Sequence, residues 1–222
     1  MLVCFVAVVL AGGTGAEPTG PFPAAARERG VSATVKVTSA ADDKTGSGVV
    51  IRRTKTQAFV LTAAHVVEKA KVVEVQVAGT KDKPGTTLKA EVLERGAAAD
   101  LAVLRLTADG VPEAVPLAPV GGKPKLVLSV GWEKGAAPGA LDEVLKGQVR
   151  LRKPGAANVV TCFETVRKQA EGRSGGPLLD ECGRVIGVAT GHDGKTGYYV
   201  HADEVRSFLK ANALGWIIEE DR

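Results

Sequence analysis

Aromatic residues are scarce in this chain: two Trp, two Tyr and five Phe among 222 residues. That scarcity removes the stacking platforms on which single-stranded nucleic acids are held. The 29 Lys and Arg are scattered among 25 Asp and Glu, so the net charge is only +4 and no dense basic block forms. A nucleic-acid partner therefore finds no support. Of the three cysteines, Cys4 lies in the apolar start of the chain, and neither Cys162 nor Cys182 has metal-ligand spacing with the three histidines. No metal and no organic cofactor is implied. No apolar run reaches the ~20 residues that span a bilayer, so stable membrane insertion is not expected once a leader is removed.

The apolar run at residues 2–11, followed by Gly-Gly-Thr-Gly-Ala, reads as a signal peptide over residues 1–16, with cleavage after Ala16. No Lys or Arg precedes the run, and a buried first strand is the competing reading. An exported chain, periplasmic or extracellular, would permit Cys162 and Cys182 to pair. Residues 17–30 are rich in Gly, Pro and Ala and read as a linker.

What the chain does have is glycine, 27 residues of it, and a 45% hydrophobic content cut into short Val- and Leu-rich runs that stop at Gly, Asp or Pro. This punctuation predicts an all-β protein. Six strands are expected before residue 107: 33–38, 48–52, 58–62, 72–78, 88–93 and 101–106. Six more are expected after 123, at 125–130, 144–151, 159–165, 177–180, 185–189 and 197–200. The segment 107–123 connects the two sets. The prediction is two six-stranded antiparallel β-barrels, lobes of about 31–110 and 120–201, within one domain at 31–212. Val205, Phe208 and Leu209 share one helical face, which places a C-terminal helix over 202–211 before a tail at 213–222.

Three segments belong together chemically. Thr62-Ala63-Ala64-His65 ends a strand, Asp100-Leu101-Ala102-Val103-Leu104 begins one, and Gly172-Arg173-Ser174-Gly175-Gly176-Pro177 precedes another. Singly, each is an ordinary loop or strand end. In this order they supply a base, a carboxylate to orient it and a hydroxyl nucleophile, the parts that acyl transfer requires. These motifs resemble the trypsin-like (chymotrypsin-fold) serine peptidases, most closely the bacterial exported members of the HtrA group, over roughly residues 32–210. The resemblance implies a serine endopeptidase acting on protein or peptide substrates, with the active site between two barrels. His65 would be the general base, Asp100 its orienting carboxylate and Ser174 the nucleophile. The sequence shows no PDZ-like segment after residue 212, so PDZ-linked assembly is not carried over.

The same resemblance makes the backbone N–H groups of Gly172 and Ser174 the candidate oxyanion hole. Gly172 frees the backbone for a conformation closed to other residues, and Gly175 and Gly176 allow close packing behind the nucleophile. Arg173 stands where the family often has Asp or Asn. It is expected to face the cleft or solvent and to bias substrate binding toward acidic groups. Lys168, six residues before Ser174, is the expected base of a specificity pocket, and the backbone of Ala189, Thr190 and Gly191 is expected to pair with an extended peptide. Gly46-Ser47-Gly48 resembles a strand opening near the cleft, and His192 and His201 read as structural or surface residues.

Two alternatives compete. Gly172-Arg173-Ser174-Gly175-Gly176 also fits the elbow of α/β-hydrolases, but only 48 residues follow Ser174, too few for that fold, and Pro177 opposes a helix there. The other is a catalytically silent peptide-binding module on the same barrels.

Overall fold

The structure, a computed structural model, describes residues 21–80, 84–122, 124–133, 137–152 and 158–219, with the backbone of 6–8. Cleavage after Ala16, and all of the 1–16 leader apart from residues 6–8, lie outside the described residues, as do the last three residues of the tail. In chain order, strand β1 (Val6–Val8) and helix α1 (Ala24–Ala33) precede a first lobe. This lobe holds β2 (Thr34–Ser39), β3 (Lys44–Arg53), β4 (Gln57–Ala63), β5 (Val72–Val77), β6 (Thr86–Gly96) and β7 (Leu101–Thr107). The second lobe holds β8 (Val127–Gly131), β9 (Gly139–Glu143), β10 (Leu145–Arg152), β11 (Val160–Thr165), β12 (Pro177–Asp180), β13 (Val185–His192) and β14 (Gly197–His201). Helix α2 (Ala202–Ala211) and a 3-10 turn at Gly215–Ile218 follow. No helix among the described residues is long and apolar enough to cross a membrane.

The first lobe is the expected closed barrel, in the order β2-β3-β4-β7-β6-β5, with β5 returning to pair with β2. Alternation drives it: Val35 and Val37 of β2 and Val73 and Val75 of β5 point inward beside Val50, Val60 and Leu104. Closure leaves no strand edge exposed.

The second lobe departs from the expected six-stranded barrel. Its seven strands run β10-β11-β14-β13-β12-β8-β9, with β1 added beside β10, and the two ends do not meet. The extra strand is β9, a hairpin partner of β8 in which Glu143 alone is buried. Without an apolar alternation it leaves no mark in the sequence. Its outer edge is taken up by arginines: Arg27 pairs with Asp142 at 2.5 Å, and Arg167 reaches both the Asp142 carbonyl and the Glu143 carboxylate. Side-chain caps of this kind blunt an edge without closing a barrel.

Helix α1 is a second correction, since residues 24–30 were expected to be linker. Its buried residues are Ala26, Gly30 and Ala33, all small, so no apolar stripe betrays it. Smallness is what the packing needs: a Cβ on Gly30 would stand 2.2 Å from the Leu179 side chain. Arg29 also donates to the Cys182 carbonyl, fixing α1 to the second lobe before the chain enters β2 of the first.

One apolar cluster runs across the seam. It joins Val49, Phe59, Leu61 and Leu101 of the first lobe with Leu128, Val130, Leu179, Val188 and Val200 of the second. Helix α2 seals it with Val205, Phe208 and Leu209, as its sequence periodicity predicts. Trp216, beyond α2, packs edge-on against Phe59 of β4 with ring centroids 5.0 Å apart. The lobes are thereby one rigid unit, which is the precondition for a site built from both.

His201 begins α2 as its N-cap, its Nδ1 accepting from the Asp203 N–H at 3.1 Å. Burial holds its pKa below the ordinary histidine value, against the opposing pull of Asp203 and Glu204. A base with a lowered folded-state pKa contributes stability above its unfolded value of about 6.5, and that stability is lost as pH falls below it. His201→Asn keeps a capping acceptor but removes the titration. The melting temperature of the native chain should therefore fall more steeply between pH 7 and 5 than that of the variant. Parallel slopes would show that His201 is not the linked group.

Candidate active site

The site begins where β4 ends. After Ala63 the chain tightens into the 3-10 turn Ala64–Val66, which presents His65 at the lobe seam. Asp100 comes from the start of β7 with a φ of +56°, a left-handed conformation that Asp tolerates better than most residues. That bend lets its carbonyl accept from the Ala64 N–H at 3.0 Å, while Oδ1 accepts from the His65 N–H at 3.0 Å. Oδ2 lies 2.8 Å from His65 Nδ1 and takes a further bond of 2.5 Å from the Thr190 hydroxyl, contributed by β13 of the second lobe. Asp100 is 1% exposed, and a buried carboxylate persists when donors surround it. Because a carboxylate only accepts, Nδ1 of His65 carries the proton and Nε2 is left as the base.

Ser174 arrives on the loop between β11 and β12, and the first lobe grips this loop. Ser47 Oγ donates to the Gly172 carbonyl at 2.7 Å and accepts from the Trp132 N–H at 2.8 Å, while the Ser47 N–H donates to the Ser174 carbonyl at 2.7 Å. Further back, the Gly175 N–H bonds the Ala189 carbonyl at 2.7 Å and the Ala189 N–H bonds the Gly176 carbonyl at 2.9 Å. With the carbonyls thus engaged, the N–H groups of Gly172 and Ser174 donate to no acceptor among the described residues.

His65, Gly172 and Ser174 line one cleft of about 530 Å³, together with Asp43, Lys44, Thr45, Val66, Gln169, Ala170, Glu171, Thr190, Gly191 and His192. His65 and Ser174 line the same cleft without a hydrogen bond between Oγ and Nε2, a contact that commonly forms only in the Michaelis complex. A groove of about 580 Å³ on the first barrel, lined by Thr56, Val72, Lys89, Glu91 and Arg105 among others, holds no Ser, Cys or His.

Several expectations need correction. Arg173 is 2% exposed and points into the second lobe, not into the cleft or solvent. Lys168 is exposed and lies outside the cleft lining, whereas its neighbour Gln169 is buried in the wall, with Nε2 donating to the Tyr198 carbonyl at 2.7 Å. Both backbone groups of Ala189 are already used by the Ser174 loop, whereas Thr190, whose side chain serves Asp100, and Gly191 both line the cleft wall. His192 also lines that wall. Cys162 is buried and Cys182 is exposed, and no disulfide joins the two. Among the described residues no group of three or more His, Cys, Asp or Glu converges.

Sequence reasoning missed the bridge made by Ser47 and the hydroxyl bond from Thr190. The first had a signal in Gly46-Ser47-Gly48, since a Cβ on Gly46 would stand 2.7 Å from the Ser174 carbonyl. The second had none.

A family model described as the trypsin-like peptidase domain matches residues 46–188. The serine protease Do-like HtrA of Lactobacillus helveticus is 29% identical over 150 residues, 64% of this chain and 34% of that protein. Its counterpart in Lactococcus lactis subsp. cremoris is 27% identical over 182 residues, 74% of this chain and 44% of that protein. The chain thus spans less than half the length of these relatives. Among solved structures, the active form of the Rv3671c protease from M. tuberculosis superposes with a TM-score of 0.71 at 25% identity, covering 91% of this chain and 93% of that one. The serine endoprotease of Yersinia pestis, 22% identical with a TM-score of 0.64, covers 84% of this chain and 65% of that one and shares the fold.

Gly175 has a φ of +86°, and a Cβ there would meet the Ser47 carbonyl at 2.2 Å and Thr62 Oγ1 at 2.3 Å. Gly194, with a φ of +97°, has nothing within 4 Å. Gly194→Ala should lose the conformational term alone, roughly 1–3 kcal/mol. Gly175→Ala should lose distinctly more in urea unfolding. Equal losses would mean that the Ser174 loop is not packed as described.

Proposed function

The chain belongs to the trypsin-like peptidase family, and from that premise we propose that it is a serine endopeptidase hydrolysing protein substrates through His65, Asp100 and Ser174. The observation that carries this reading is the His65–Asp100 pair. A proton fixed on Nδ1 by a buried carboxylate leaves Nε2 basic, in the same cleft as a serine flanked by uncommitted N–H donors.

In the first step Ser174 Oγ attacks the scissile carbonyl carbon and its proton passes to His65 Nε2. The carbonyl electron pair moves to oxygen, where the N–H groups of Gly172 and Ser174 meet the developing charge. Collapse of this intermediate expels the amine, which takes the proton from His65, and leaves an acyl-enzyme. Water, deprotonated by His65, then attacks the acyl carbon, and collapse breaks the ester bond to Ser174 Oγ, which takes the proton back from His65 as the acid leaves. Asp100 stays ionised throughout and stabilises the imidazolium form of His65.

An extended peptide would run along Gly191. A cationic specificity pocket has lost its basis, because Lys168 is outside the cleft lining and Arg173 is buried. The leader expected at residues 1–16 would place the activity outside the cytoplasm.

A fluorophosphonate probe should label the native chain and fail to label Ser174→Ala. A folded native chain that resists the probe would instead favour the silent peptide-binding module. Thr190→Val removes a charge-assisted bond to Asp100, of a class worth roughly 1.5–3 kcal/mol. Peptide-cleavage kcat should therefore fall about 10-fold or more, with Thr190→Ser retaining most of it. Undiminished kcat in Thr190→Val would detach Thr190 from catalysis.

A further inference from the structure

Arg173 is among the largest fully buried side chains and has no part in the steps above. It separates Gly172 from Ser174, the two residues whose N–H groups form the anion site. Its guanidinium donates to Glu133 Oε1 at 2.8 Å, to the Ser129 carbonyl at 2.8 Å and to Ser129 Oγ at 3.0 Å. Tyr199 donates to the same Ser129 Oγ at 2.7 Å. Burial pushes the Tyr199 hydroxyl up to about 12, so it remains a donor.

The arginine stem lies flat against β8: a Cβ on Gly131 would stand 3.1 Å from both Arg173 Cβ and Cγ. Gly139 of β9 leaves room beside the guanidinium, where a Cβ would stand 3.7 Å from Nη1. The close approach is thus at Gly131, where a side chain would crowd the arginine stem, whereas Gly139 lies at ordinary contact distance.

A guanidinium keeps its charge at any working pH, and taking it out of water is costly unless its donors are satisfied. Turning the Ser174 loop over would strand that charge. Outward, Ser47 holds the carbonyls of Gly172 and Ser174. Inward, Arg173 holds the residue between them. We propose that Arg173 is a positioning residue, clamped by Glu133 and Ser129, that keeps the Gly172 and Ser174 N–H groups turned toward the cleft. Every anchor on the inward side belongs to the second lobe itself, so the clamp needs neither a new N-terminus nor a partner to form. Its consequence for turnover rests on the endopeptidase reading, but its consequence for loop order does not.

The test uses the full chain with Arg173→Met, Arg173→Lys and Glu133→Gln. Steady-state cleavage of a peptide substrate is read beside inhibition by a peptide aldehyde and deuterium uptake of residues 170–177. Arg173→Met should lower kcat on the order of 100-fold and weaken aldehyde binding in parallel, with KM within about threefold, while uptake in the loop accelerates. Lysine offers a point charge in place of a fork, so Arg173→Lys should recover part of kcat. A folded Arg173→Met with native kcat, aldehyde affinity and uptake would overturn the clamp. So would a loss confined to KM.

If Arg173→Met does not fold, Glu133→Gln decides, because Glu133 is 46% exposed and its loss strands no buried carboxylate. Faster uptake with a kcat loss of roughly 3- to 10-fold supports the clamp, and native values of both refute it. A native chain without peptidase activity, whose loop still loosens in Arg173→Met, would refute the endopeptidase reading and leave the clamp standing.

Discussion

A carboxylate buried at the seam of two lobes is the constraint on which this structure turns. Asp100 is almost wholly withdrawn from water, and its charge is tolerable because donors converge on it. Those donors come from both halves of the molecule: the backbone and ring of His65 from the first lobe, and the Thr190 hydroxyl from the second. Any sliding of one lobe over the other would cost the buried charge its Thr190 donor. Satisfying Asp100 therefore fixes the base, its tautomer and the relative placement of the lobes together.

The apolar cluster across the seam supplies the rigidity that this demands, and it is closed from two sides. Helix α2 grows out of the second lobe, yet Phe208 covers Gly96 of the first, where a Cβ would stand 2.9 Å from the ring. Trp216 then carries the chain back onto Phe59. From the opposite end, α1 packs on Leu179 and Gly183 before feeding β2, and the Trp132 ring donates to the Thr34 carbonyl where α1 ends. The two ends of the described domain thus clamp the lobes they connect.

Between those clamps the nucleophile loop has little freedom. Gly172 has a φ of +88°, and a Cβ on it would stand 2.5 Å from the Trp132 carbonyl. The loop accepts bonds from Ser47 on one side and sends a charged side chain into the second lobe on the other. A backbone with positive φ, packed on both faces, is costly to assemble, but it presents donors that need no reorganisation when charge develops. The open second sheet has a role here. Its hairpin β8–β9 is not needed to close a barrel, and Gly131 of β8 accommodates the Arg173 stem instead.

By itself the sequence determined which residues are proposed to react, their order, the closed first barrel and helix α2. These are local matters: strand ends, alternation of valines, a glycine-flanked serine and a helical stripe are written in short windows of residues. It was silent on α1 and β9, because Ala26 and Gly30 pack by being small and Gly139–Glu143 is an exposed edge, so neither carries an apolar period. It misplaced Arg173 and Lys168 because a side chain's destination is set by what surrounds it. Glu133, Ser129 and Tyr199 lie 26 to 44 residues away from Arg173 in sequence and meet its guanidinium, directly or through Ser129, only once the sheet has formed. The roles of Ser47 and Thr190 have the same origin. The chemistry is carried by residue type and could be read, whereas the partners that hold it in place come from distant strands and were decided by the tertiary structure alone.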